Sequence, residues 1–144
     1  MNVETILRNK GRSVATIRPE ATIATAIDIL HGRGIGALVV SHNGQRVEGI
    51  LSERDIILGL ARFGGELLSL PVSEIMTISV VTCDPTDSVQ DLMAEMTNRR
   101  IRHFPVVSDG RLCGIVSIGD LVKSRLDEVE HEAHSLRSFI AGAA

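Results

Sequence analysis

The strongest constraint on this chain is an internal duplication. A segment starting at Ser13 returns at Ser79, about 66 residues later, so two copies of one supersecondary unit must each solve the same packing problem. SVATIRPEATIATAIDILHGRGIGALVVSHNGQRVEGILSERD aligns with SVVTCDPTDSVQDLMAEMTNRRIRHFPVVSDGRLCGIVSIGD once a residue is removed near the Asn43-Gly44 turn. The anchors are Ser13/Ser79, Thr16/Thr82, Pro19/Pro85, Arg33/Arg99, Ile35/Ile101, Gly44/Gly110, Gly49/Gly114, Ser52/Ser117 and Asp55/Asp120. Turn, strand and polar positions recur together, which chance similarity does not produce.

Within the first copy, residues 14–17 form a β-rich run closed by Pro19. Thr22 can then cap a helix whose apolar face is Ile23, Ala26, Ile27 and Leu30. Residues 35–40 read as a strand, Asn43-Gly44 as a hairpin turn, residues 47–51 as the returning strand, and a second helix starts near Glu53. The second copy repeats the scheme: strand 80–83, a Ser88 cap, a helix on Val89, Leu92, Met93 and Met96, then strands 104–107 and 112–116 around Asp109-Gly110. The expected fold is α+β, with tandem βαββα units packed as a pseudo-twofold pair. Its divisions are an N-terminal segment (1–12), repeat 1 (13–63), a Gly/Pro-marked linker (64–78), repeat 2 (79–126) and a charged C-terminal helix (127–144). In that helix Leu136, Phe139 and Ile140 are the expected docking residues.

Composition narrows the function. A chain of 144 residues, 44% hydrophobic, builds one core or two small interdependent halves, not a large multidomain enzyme. A net charge of −3 with no Trp or Tyr supplies neither a basic field nor stacking platforms, which argues against nucleic acid. Cys83 and Cys113 are too few for a disulfide framework, and no run approaches a bilayer span. A cytoplasmic protein with no membrane partner is the expectation. No HExxH, P-loop or correctly ordered GxGxxG occurs, and Gly32-Arg33-Gly34-Ile35-Gly36 reads as a helix stop. No catalytic residue and no metal requirement is expected, and His131 and His134 read as a solvated helix face. Arg99, Arg100 and Arg102 form a basic cluster suited to a phosphate or to solvent.

Four segments carry a family resemblance: GILSERD at 49–55, GIVSIGD at 114–120, IRHFPVV at 101–107 and Thr-x-x-Pro at both repeat starts. Together they resemble the CBS-domain pair, or Bateman module, across residues 13–126. The resemblance implies two clefts between the repeats that take AMP, ADP, ATP, NAD(H) or S-adenosylmethionine, and frequent homodimerisation into a flat disc.

On that resemblance, a polar cleft combines Ser52, Arg54 and Asp55 with Thr82, Ile101, Arg102, His103 and Pro105. A small-lined cleft combines Ser117, Ile118 and Asp120 with Thr16, Ala21, Gly36 and Ala37. A carboxylate opening a helix can accept from both ribose hydroxyls, while the strand-to-helix junction offers backbone N–H groups and a positive dipole to phosphate. Arg54, Arg102 and His103 add phosphate donors in the polar cleft. The competing role for both Ser/Asp pairs is helix capping. The reading is a regulatory, adenine-nucleotide-binding module, not an enzyme, acting through an effector protein or a dimer rearrangement. The alternative is a purely structural dimerisation module with non-functional clefts.

Overall fold

The structure, a computed structural model, describes residues 1–143. In the first half, helix α1 (Val3–Lys10) precedes β1 (Thr16–Ile17), α2 (Ile23–Arg33), β2 (Ala37–Val40), β3 (Gly49–Ser52) and α3 (Glu53–Phe63). Two 3₁₀ turns (Gly64–Ser69 and Val72–Glu74) lead to α4 (Val89–Arg99), β4 (His103–Ser108), β5 (Arg111–Ser117) and α5 (Ile118–Ala143). The duplicated α+β architecture is as expected, and the caps are too. The Thr22 and Ser88 side chains accept from the N–H groups of Thr25 and Asp91. Helix α2 stops at Gly34 in the left-handed region, whereas α4 stops at Arg100 (φ 56°), a conformation costly for a residue with a Cβ.

The two sheets are unequal. β1 runs parallel to β2, which pairs antiparallel with β3, whereas the second half contributes only the β4–β5 hairpin. The expected strand 80–83 is reduced to a single bridge, Cys83 to Val106. The cause is Pro105. In the first half the Val39 N–H donates to Ala15 O at 3.2 Å; Pro105 stands at the equivalent position and has no N–H to give.

Both connecting segments pack into the cores. In residues 64–78, expected as the linker, Leu67 and Val72 are completely buried in the first core with Ile23, Leu38, Val40 and Leu51. The N-terminal segment is helical and buries Val3, Ile6 and Leu7 in the second core beside Phe104, Val116 and Leu121. Each core therefore borrows the segment preceding the other repeat, through equivalent hydrogen bonds: Val3 N–H to Asp87 O (3.1 Å) and Val72 N–H to Ala21 O (2.7 Å). Fully burying one such aliphatic side chain contributes about 1.5–3 kcal/mol, so neither half is complete alone. Gly49 and Gly114 make room for this exchange. A Cβ on Gly114 would sit 2.6 Å from Leu7 Cδ2, and one on Gly49 would sit 2.8 Å from Met76 Sδ.

The C-terminal helix is not a separate element beginning near 127 but the continuation of α5 from Ile118. Leu136, Phe139 and Ile140 are exposed and dock on nothing in this chain. Among the described residues no helix is long and apolar enough to cross a membrane.

Candidate functional site

Strands β3 and β5 each end in a Ser that caps the following helix and a carboxylate three residues on, but the two carboxylates are left in different states. At the first, the capping box is closed: Asp55 Oδ2 accepts from Ser52 N–H (2.9 Å) and Ser52 Oγ (3.1 Å). Its other oxygen, Oδ1, accepts from Thr77 Oγ1 at 3.1 Å. At the second, Asp120 Oδ2 takes both local donors, Ser117 N–H at 2.9 Å and the Lys10 ammonium at 2.6 Å. Neither contact falls on Asp120 Oδ1, and Lys10 and Ser117 both line a cavity. Burial pushes the Asp120 carboxyl up, but Lys10 and the Ser117 groups outweigh it and hold the carboxyl below its ordinary value.

That cavity is a hollow of about 310 Å³ where the two halves meet, lined by Lys10, Ser13, Ala15, Arg33, Gly34, Ile35, Gly36, Ala37, His103, Ile115 and Ser117. Its size lies at the lower end of the roughly 300–1,000 Å³ found for small-molecule pockets. A second hollow of about 430 Å³, bounded by Ile27, Leu30, His31, Gly34, Ile35, Glu53, Ile56 and Ile57, is a more open apolar groove between α2 and α3.

Of the residues expected in the small-lined cleft, the cavity gathers Gly36, Ala37 and Ser117, with Asp120 held to its wall through Lys10. Thr16 is not among them: Ala15 lines the cavity, and strand alternation turns its neighbour to the opposite face. Ala21 instead lies at the edge of the first core, its carbonyl receiving Val72 N–H. Ile118 packs on the second core, and its N–H donates to Arg102 O at 2.8 Å. The Asp120 N–H is taken by Ser117 Oγ at 3.2 Å. The opening turn of α5 is thus largely satisfied from within.

Of the residues expected in the polar cleft, His103 lines the cavity just described, where it approaches Gly36: a Cβ on that glycine would be 3.3 Å from His103 Cε1 and 3.2 Å from Glu53 Oε1. Burial, and after it the charge of Lys10, hold the His103 imidazole below its ordinary value. Arg54, Thr82 and Arg102 are exposed, Pro105 is buried in β4, and Ile101 packs against the second core. Ser52, Arg54, Asp55, Thr82, Ile101, Arg102 and Pro105 line neither hollow. Among the described residues no group of three or more His, Cys, Asp or Glu could hold a metal ion.

Sequence reasoning missed Lys10, Ser13, Ala15, Arg33 and Ile115. Alternation along a strand was a sufficient signal for three of them, because Ser13 and Ala15 share a face, as do Ile115 and Ser117. Lys10 carried no local signal, since it arrives only because α1 crosses to the second repeat.

A duplicated unit whose halves exchange flanking segments and share a cavity at a Ser-x-x-Asp corner defines the class. The CBS-domain family model matches residues 7–62 and 72–127, and the chain belongs to that family. It is 32% identical over 148 residues to the mitochondrial CBS domain-containing protein CBSX3 of Arabidopsis thaliana, covering 97% of this chain and 72% of that protein. Among solved structures it resembles the CBS-domain containing protein ATU1752 from Agrobacterium tumefaciens, with a TM-score of 0.84 and 43% identity over 87% of this chain and 99% of that one. It also resembles the CBS domain pair of protein MJ0100, solved in complex with 5-methylthioadenosine and S-adenosyl-L-methionine. There the TM-score is 0.75 and the identity 29%, over 88% and 98% of the two chains.

Proposed function

We propose that this chain is a regulatory module that binds one adenine nucleotide, AMP or a related compound such as ATP or NAD(H), in the cavity beside Asp120. The observation that carries the reading is that Lys10 and Ser117, the two residues holding Asp120 Oδ2, both line a ligand-sized hollow shared by both repeats. A ribose hydroxyl pair binding the Asp120 carboxylate competes with Lys10 for it, and the ammonium, together with Arg33, is then free to meet phosphate. Ala15, Gly36, Ala37 and Ile115 leave an apolar slot for the base. The adenosine ligands of the MJ0100 pair support the ligand class.

The chain acts by binding rather than by catalysis. Ligand contacts from both halves stabilise one relative arrangement of the repeats, and only differential binding to two arrangements transmits a signal. The signal passes to an effector protein or to a second copy. Free thiols at Cys83 and Cys113 fit a reducing compartment such as the cytoplasm.

One observation favours the structural alternative: Lys10 already satisfies part of Asp120, as in a cleft closed upon itself. Calorimetric titration with adenosine, AMP, ATP, NAD(H) and S-adenosylmethionine separates the two. Saturable binding of one to one with the protein supports the sensor. Absence of heat for every compound at millimolar concentration, with no thermal stabilisation, leaves the structural module.

A further inference from the structure

His42, near the start of the loop between β2 and β3, has a carboxylate at each ring nitrogen. Nδ1 lies 2.6 Å from Glu48 Oε1, Nε2 contacts Glu20 Oε1, and the side chain is 47% exposed. The His42 backbone N–H donates to Glu48 Oε2, so one carboxylate grips the residue twice. Beside it, Arg18 donates to His42 O at 3.3 Å and pairs with Glu20 at 3.5 Å. A neutral imidazole has one N–H, and its other nitrogen would meet a carboxylate lone pair against lone pair. Only the imidazolium satisfies both contacts at once.

The same loop reaches the other repeat, where Gln45 O accepts from the Leu112 N–H of β5 at 2.7 Å. Within the loop Asn43 Oδ1 accepts from the N–H groups of Gln45 and Arg46, which ties the turn together between His42 and Gln45. We propose that His42 is a proton-operated clasp between the repeats. Charged, it fixes the loop to Arg18 and Glu20 and seats Gln45 on Leu112; neutral, it lets one carboxylate go and loosens that seat. The hydrogen bonds to Glu20 and then to Glu48 raise the His42 imidazole above its ordinary value, against the opposing effect of burial. His42 first, with Arg18 and Arg46 behind it, holds Glu20 and Glu48 below the ordinary carboxylate values, so both partners stay ionised through the histidine range. The clasp is therefore complete below the ordinary histidine value of about 6.5 and is released as pH rises through the raised folded value. Being exposed, it is weakened by salt, and it does not depend on what the cavity binds.

Nuclear magnetic resonance titration of the full chain at low salt tests this. The His42 ring is expected to titrate above about 6.5, and Glu20→Gln or Glu48→Gln each to move its midpoint back toward that value. The Leu112 amide shift should follow the His42 midpoint in the wild type and stay flat across it in His42→Gln. His103, held below the ordinary value, titrates on the acid side, which keeps its signal separate. Hydrogen-exchange protection of the Leu112 N–H, corrected for the intrinsic rate, should fall roughly two- to fivefold as pH rises across the His42 midpoint. A His42 midpoint at or below the ordinary value overturns the grip by two carboxylates. A Leu112 amide that ignores the His42 titration, or that titrates equally in His42→Gln, overturns the link between the repeats.

Discussion

Asp55 and Asp120 occupy the same place in the two repeats, yet one is a finished cap and the other is not. Asp55 spends both oxygens on Ser52 and Thr77, whereas Asp120 spends one on Ser117 and Lys10, two residues that line a cavity. The duplicated motif is thus a scaffold that can serve as a helix cap or as a binding corner. The neighbours brought by the borrowed segments, Thr77 in one half and Lys10 in the other, decide between the two. A repeated signature therefore does not imply repeated hydrogen bonding.

The sharpest way to break this contrast is to remove each carboxylate in turn. Asp120→Ala is expected to lose about 1.5–3 kcal/mol of nucleotide affinity, roughly tenfold to a hundredfold, while Asp55→Ala leaves affinity unchanged in calorimetric titration. The roles invert for folding. Asp55→Ala opens the capping box and releases Thr77, and should lower stability by about 1 kcal/mol in a denaturant titration.

Smaller effects refine the picture. The helix stops differ between the halves, so Arg100→Gly, which relieves a left-handed backbone, is expected to stabilise the protein by roughly 0.5–1 kcal/mol. The corresponding Gly34 already has that freedom. Lys10→Ala should tighten adenosine and weaken AMP, each by roughly two- to fivefold, because the ammonium guards the ribose acceptor but serves the phosphate. Equal changes for both ligands would remove Lys10 from phosphate recognition.

The smallest expected effect is one of pH, and its sign follows from His103. Its folded value is lowered by burial and by Lys10, against the opposing charges of Glu53 and Asp120. The unfolded chain therefore takes up the proton first. Stability is full above the ordinary histidine value of about 6.5 and falls as pH drops from there toward the folded value. Thermal melts across that window should slope in the wild type and flatten in His103→Gln.

How much of this was legible beforehand follows the range of the interactions. Caps, hairpin turns and the repeat itself are local, so Thr22, Ser88, Asn43-Gly44 and the Ser-x-x-Asp corners were readable from their residue types. Strand 80–83 was misread because its pattern is β-rich, while its missing hydrogen bond lies across the sheet at Pro105. The exchange of flanking segments was invisible for a related reason: Val3, Ile6, Leu7, Leu67 and Val72 fill cores distant in sequence, and a Gly/Pro-marked stretch reads as a linker until something packs on it. At the site, motif symmetry pointed to Gly36, Ala37 and Ser117, which line the cavity, but it gave no sign that His103 lines the same cavity, since the turn of a side chain toward Gly36 depends on how the halves meet.

The account rests on one carboxylate doing at the second corner what its counterpart does not do at the first. A crystal structure of the protein grown with AMP tests that directly. The expected density has ribose hydroxyls on Asp120 Oδ1, the base against Ala37 and Ile115, and Lys10 withdrawn from its carboxylate. A nucleotide seated instead on Asp55, or bound with the Lys10–Asp120 pair intact and the cavity empty, contradicts it.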